Sequence, residues 1–110
     1  MIYHITPKVD WEAAAGAEYY RGDSLETEGF IHCSTSLQVV DVANHWFPGR
    51  HGLLLLTIDP RRLSSQVIYE DGGDGRLFPH VYGPIEIRAV IAVEDFSPRP
   101  DGQFEWPPNT

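Results

Sequence analysis

Residues 52–58 read GLLLLTI, the longest apolar block in a chain of 110 residues. A run this short is well below the roughly 18 residues a bilayer requires, and it fits a strand buried on both faces. The sequence DPRRL at 59–63 supplies a turn, and QVIYE at 66–70 is a shorter strand. After the glycine-rich loop DGGDGR, extended structure resumes in FPHVYGPIEIRAVIAVEDF at 78–96. There Ile85, Ile87, Ala89, Ile91 and Val93 alternate with Glu86, Arg88 and Glu94, the pattern of one half-exposed strand.

Upstream of the apolar block, STSLQVVDVANHWFPG predicts a helix capped within residues 34–36, with Val39, Val42, Ala43 and Trp46 as its apolar face and a stop at Pro48 and Gly49. The N-terminal MIYHIT reads as a strand ended by Pro7. A short helix follows, capped by Thr6 or Asp10, with Trp11, Ala14 and Ala15 inward and Gly16 at its end. The polar stretch YRGDSLETEGF at 20–30 is expected to be a surface connection placed to act as a lid. Strands and helices do not alternate regularly, so the expected fold is α+β: a mainly antiparallel β-sheet with two helices near the N-terminus. One domain over residues 1–96 is expected, followed by a proline-rich tail at 97–110 docked through Phe104 and Trp106.

Hydrophobic residues make up 42% of the chain and charged residues 22%, ordinary values for a globular protein. The formal charge of −8 argues against gripping duplex nucleic acid, which requires a broad cationic surface. No segment suits a membrane span. A small anionic ligand stays compatible, because local arginines or backbone amides hold phosphates whatever the net charge. The single cysteine, Cys33, cannot form an internal disulfide, and the N-terminus lacks a secretory pattern; a cytoplasmic location is the expectation. Oligomeric state is unknown at this level.

Three of the five histidines lie in strand-like segments with a hydroxyl residue two places on: HIT at His4, HCS at His32 and HVY at His80. Residues two apart in a strand share a face. His4, Thr6, His32, Ser34, His80 and Tyr82 are therefore expected to line one polar cleft, with Tyr3, Ile5, Ile31, Cys33 and Val81 in the core. Unpaired buried polar groups cost roughly 1–3 kcal/mol, so such a set implies mutual hydrogen bonds or a ligand. Cys33 points away from His32 and is not a candidate nucleophile. Glu70, after VIY, is placed to steady a developing positive charge. Arg76 suits a phosphate contact, Gln38 can reach back toward His32, and His45 and His51 face water. No His-x-His or helical i, i+4 pair is present, so no metal site is expected.

The ordered set IYHIT, EGFIHCS, Gln38, VIYE and FPHVYGPI resembles a small bacterial and plant family, the domain of unknown function numbered 952 (DUF952), over nearly the whole chain. More distantly, YHIT is similar to the first-strand YHGT-type motif of the ADP-ribosyltransferase superfamily, and FIHCST to the VHLS motif of its RNA 2'-phosphotransferase branch. The resemblance implies an ADP-ribosyltransferase-like fold and NAD as the cofactor or nucleotide ligand. It places His4 and Thr6 against the adenosine ribose and His32 and Ser34 at the nicotinamide end with Tyr82, and makes His32, His80 and Glu70 the catalytic candidates, His80 or Glu70 in an acid–base or electrostatic role. Ile5 stands where that superfamily has glycine, and no glutamate fills the third motif. Transfer to phosphate or water, or binding alone, is then favoured over transfer to a protein side chain. Two other readings stay open: a non-catalytic module for a nucleotide metabolite or protein, and a histidine-based metal-dependent hydrolase.

Overall fold

The apolar run forms the middle strand of a three-stranded antiparallel sheet. In this computed structural model, which describes residues 1–22 and 24–106, the elements are β1 (Ile2–Pro7), α1 (Lys8–Ala13), β2 (Tyr19–Tyr20), α2 (Ser24–Glu28), β3 (Ile31–His32), α3 (Val39–Trp46), β4 (Leu53–Ile58), β5 (Gln66–Asp71), β6 (Leu77–Tyr82), β7 (Ile85–Glu86) and β8 (Val90–Asp95). Strands order as β1-β4-β8, β2-β7 and β3-β6-β5, every pair antiparallel. The first and third sheets are stitched together by a bridge between Tyr3 and Ser34, whose amides donate to each other's carbonyls at 2.8 and 2.7 Å.

Alternation along β4 feeds two cores. Leu54, Leu56 and Ile58 share a face with Ile2 and pack with Tyr20, Ile31, Cys33, Val81 and Ile85. Leu53 and Leu55 point the other way, into a cluster with Val39, Ala43, Phe96 and Phe104, flanked by Tyr3, Ile5 and Phe47. Tyr3 and Ile5, expected in the core, are only partly buried and flank the second cluster, on the opposite side of the sheet from Ile31 and Cys33. Burial holds the Cys33 thiol far above the ordinary thiol range, in its neutral form.

Several expectations are corrected by where the backbone hydrogen bonds go. Neither Thr6 nor Asp10 caps α1; its N-cap is Pro7, because β1 runs through Thr6 and the helix starts directly after it. Helix α3 begins later than its serines suggest. Ser34 is spent on the bridge to Tyr3, and Gln38 is the N-cap, its side-chain oxygen accepting from the Thr35 amide. Trp46 is 70% exposed, since the helix ends there and Phe47 turns into the cluster instead. The polar connection at 20–30 contains a helix, α2, closed by a bond from Ser24 Oγ to the Phe30 carbonyl.

The strand expected from Ile85 to Val93 is two strands separated by a 3-10 turn at Ile87–Ala89. The first half pairs with β2 and the second with β4, and the turn is tied by the Ile87 amide to the Glu18 carbonyl and by the Ala89 carbonyl to the Asp59 amide. Among the described residues no helix is long and apolar enough to cross a membrane. Of the tail, residues 97–106 are described. Phe104 is 2% exposed against Phe96, Trp106 meets the Tyr3 ring edge-on at 5.3 Å, and Asn44 accepts the Phe104 amide at 2.6 Å. Phe104→Ala is expected to cost about 3–5 kcal/mol in urea denaturation; a loss below about 1 kcal/mol contradicts a docked tail.

Candidate functional site

The register of β3 against β6 sets the site. Ile31 lies opposite Val81 and His32 opposite His80, so the apolar pair enters the core and both imidazoles emerge on the other face. Across β6, Ile68 lies opposite His80 and Glu70 opposite Phe78. The His32 and His80 rings meet nearly perpendicular, with centroids 5.3 Å apart. Phe30, two residues before His32, stacks on His80 at 4.1 Å with 18° between planes. It also approaches Tyr82 at 5.2 Å.

His80 is 6% exposed, and its Nδ1 lies 2.8 Å from Glu70 Oε1. The same oxygen accepts the Tyr82 hydroxyl at 2.5 Å. An ionised carboxylate only accepts, so a neutral His80 carries its proton on Nδ1 and presents the Nε2 lone pair. Nε2 makes no hydrogen bond among the described residues, and His80 lines the groove described below. The Tyr82 hydroxyl, then the His80 ring, hold the Glu70 carboxyl below its ordinary range; the same Glu70 contact raises the Tyr82 phenol.

His32 is exposed, with Nε2 3.0 Å from Glu28 Oε2 one helical turn earlier in the chain. His4 sits between the sheets. Its Nδ1 donates to the His32 carbonyl at 2.5 Å, and its Nε2 lies 3.1 Å from the Tyr20 hydroxyl. That hydroxyl also lies 2.8 Å from Thr6 Oγ1, and Thr6 is fully buried.

A broad groove of about 1380 Å³ runs over these residues to α3, larger than the roughly 300–1,000 Å³ typical of a single drug-sized ligand. His4, His32, Ser34 and His80 line it. Thr6 and Tyr82, expected in the same wall, do not: Thr6 lies beneath it, orienting Tyr20, and Tyr82 stands behind His80 with Glu70. Ser34 is 5% exposed, and its backbone forms the Tyr3 bridge.

Gln38 does not reach His32. It donates to the Leu77 carbonyl at 2.7 Å and fastens β6 to the start of α3. Arg76 lines the groove but is claimed by Asp74 at 2.9 Å and Asp41 at 3.4 Å. Arg50, also in the wall, forms no ion pair among the described residues. His45 and His51 are exposed, and His45 joins the groove wall. Among the described residues no three His, Cys, Asp or Glu side chains are grouped to hold a metal.

Four contributors escaped the sequence reading: Tyr20, Glu28, Phe30 and Arg50. Glu28 and Phe30 had a signal. Phe30 is two before His32, and Glu28 ends the helix that leads into the strand. Tyr20 and Arg50 arrive through long-range packing and had none.

The family described as "Protein of unknown function (DUF952)" matches residues 5–93. The chain is similar to protein CC0527 from Caulobacter crescentus. Against the X-ray structure of that protein it shows 30% identity, covers 94% of this chain and 92% of that one, and gives a TM-score of 0.85. Against the solution NMR structure the values are 31%, 93%, 89% and 0.80. No curated protein matches it.

The Glu70 shift carries a testable sign. A carboxyl held low in the folded state contributes stability that is present above the unfolded value and lost as pH falls through the folded one. In an NMR titration Glu70 is expected to titrate below 4.5, the ordinary value, and Tyr82→Phe to move its midpoint upward. An unmoved midpoint contradicts the shared-oxygen contact.

Proposed function

The chain belongs to the DUF952 family, and for it we propose that the groove binds an NAD-class dinucleotide, with the Glu70–His80 pair acting as a base at one end. The observation that carries the reading is the buried His80 ring in the groove lining, fixed at Nδ1 by a carboxylate and with its other nitrogen free of hydrogen bonds among the described residues. The motif resemblance of YHIT and FIHCST names the ligand class. The volume of the groove and the Arg50 in its wall, without an ion pair among the described residues, fit a ligand with two ring systems and a pyrophosphate.

NAD supplies a ribose carbon made reactive by its cationic nicotinamide leaving group. In this reading His80 Nε2 takes the proton of water or of a hydroxyl acceptor. Glu70 stabilises the imidazolium that results, and Tyr82 keeps Glu70 in place. His32 flanks the reacting end, and Phe30 keeps water from one face of the His80 ring. Cys33, buried and neutral, takes no part. The second reading, a binding module without turnover, is favoured by His4, whose two ring nitrogens both have partners within the chain.

NAD at 100 times its Kd is expected to stabilise the protein by about 2.7 kcal/mol through linkage. His32→Ala should abolish the resulting rise in Tm while leaving the ligand-free protein folded. His80→Ala and Glu70→Gln should bind NAD yet release nicotinamide about 10²–10⁴-fold more slowly than the parent. No shift at millimolar NAD or ADP-ribose sinks the reading; binding without nicotinamide release sinks its catalytic half and selects the binding module.

A further inference from the structure

The wall of the groove made by α3 and the turn after it has a composition of its own. Trp46 is 70% exposed at the helix end, touching the His45 ring edge-on at 4.8 Å. The helix buries Val39 and Ala43 instead and leaves this indole open. Just beyond it, the chain turns at Phe47 with the Arg50 amide donating to the Phe47 carbonyl at 3.0 Å. The Arg50 guanidinium lies over the Phe47 ring, 5.5 Å from its centroid.

All four side chains belong to the groove lining. The acidic neighbours are accounted for differently at the two guanidinium groups. Asp41, one turn before His45 on α3, is paired with Arg76, which leaves Arg50 without an ion-pair partner among the described residues. An exposed aromatic plane and a ring-stacked guanidinium in the same groove wall, the latter without an ion pair among the described residues, are the chemistry that receives an aromatic base carrying a phosphate.

We infer that Trp46, Phe47 and Arg50 form a second subsite, which stacks a purine base on Trp46 and holds its phosphate on Arg50. This deepens the dinucleotide reading and rests on it only for the choice of a nucleotide as ligand: the purine half lies at α3, and the other half reaches His80. The charge pattern supports this polarity. At the His32–His80 end, the carboxylates Glu28 and Glu70 sit against the two imidazoles; they suit a cationic ring and repel a phosphate.

The test uses the full chain with two separate half-ligands, AMP and nicotinamide riboside, the latter carrying no phosphate. AMP is expected to quench tryptophan fluorescence saturably. Trp46→Phe should remove the quench, and Arg50→Ala should weaken AMP at least tenfold while leaving nicotinamide riboside unaffected. Both positions are exposed, and circular dichroism checks that the variants fold. AMP that fails to bind, or a quench that survives Trp46→Phe, overturns the subsite. Nicotinamide riboside, followed by shifts of the His80 ring signals in NMR, reports on the other half. Its failure to bind beside a Trp46-dependent AMP quench leaves the subsite standing and sinks the reading at the His80 end; the opposite pair of results does the reverse.

Discussion

The pairing of β3 with β6 in one register is the constraint on which the rest of the molecule depends. It is only two residues long on the β3 side. A slip of one residue would turn His32 or His80 into the apolar core and bring Ile31 or Val81 out to water. Burying an imidazole with no partner costs on the order of 1–3 kcal/mol. Exposing a fully buried Ile or Val forfeits a further 1.5–3 kcal/mol or so. Both penalties oppose the same error, so a short strand holds its place. The Tyr3–Ser34 bridge and the bond from the Cys33 amide to the Pro79 carbonyl extend that hold immediately downstream.

From that register the site follows by geometry. The imidazoles lie opposite each other, each with its own carboxylate: Glu28 for His32, and Glu70 for His80. The two are not equivalent. Glu28 and His32 are both about half exposed, and such a pair contributes little. His80 is nearly buried, stacked against Phe30, and bonded to an oxygen that Tyr82 also holds. A ring fixed on three sides has one direction left for chemistry. His4, Tyr20 and Thr6 do a different job: their hydrogen bonds satisfy polar groups buried between the sheets, and His4 also reaches the β3 carbonyl.

The antiparallel α+β character, the central apolar strand and the turning of Ile31, Cys33 and Val81 into the core were readable in the sequence, because burial imposes a period of two on strands. The same argument put His32 and His80 on one face. It failed where a residue's face was right but its depth was not. Thr6 shares the face of β1 that carries Ile2 into the first core and lies under Tyr20, while Tyr82, 38% exposed, turns its hydroxyl to Glu70 and stays out of the groove wall; periodicity carries no information about what covers a face. The unbroken alternation from Ile85 to Val93 misled for a related reason. The 3-10 turn between the two strands reverses the phase: Ile85 and Ala89 are buried and so is Glu86, whereas Ile91 and Val93 are 47% and 43% exposed. Arg50 was invisible because its place over the Phe47 ring, without an ion pair among the described residues, is a property of the packed chain alone.

The most direct measurement is the protonation pattern of the His80 ring, read by ¹⁵N-resolved NMR under conditions where the ring is neutral. The account predicts a proton on Nδ1 and a bare Nε2, with that preference lost in Glu70→Gln. A proton found on Nε2, or a pattern indifferent to Glu70, would contradict it.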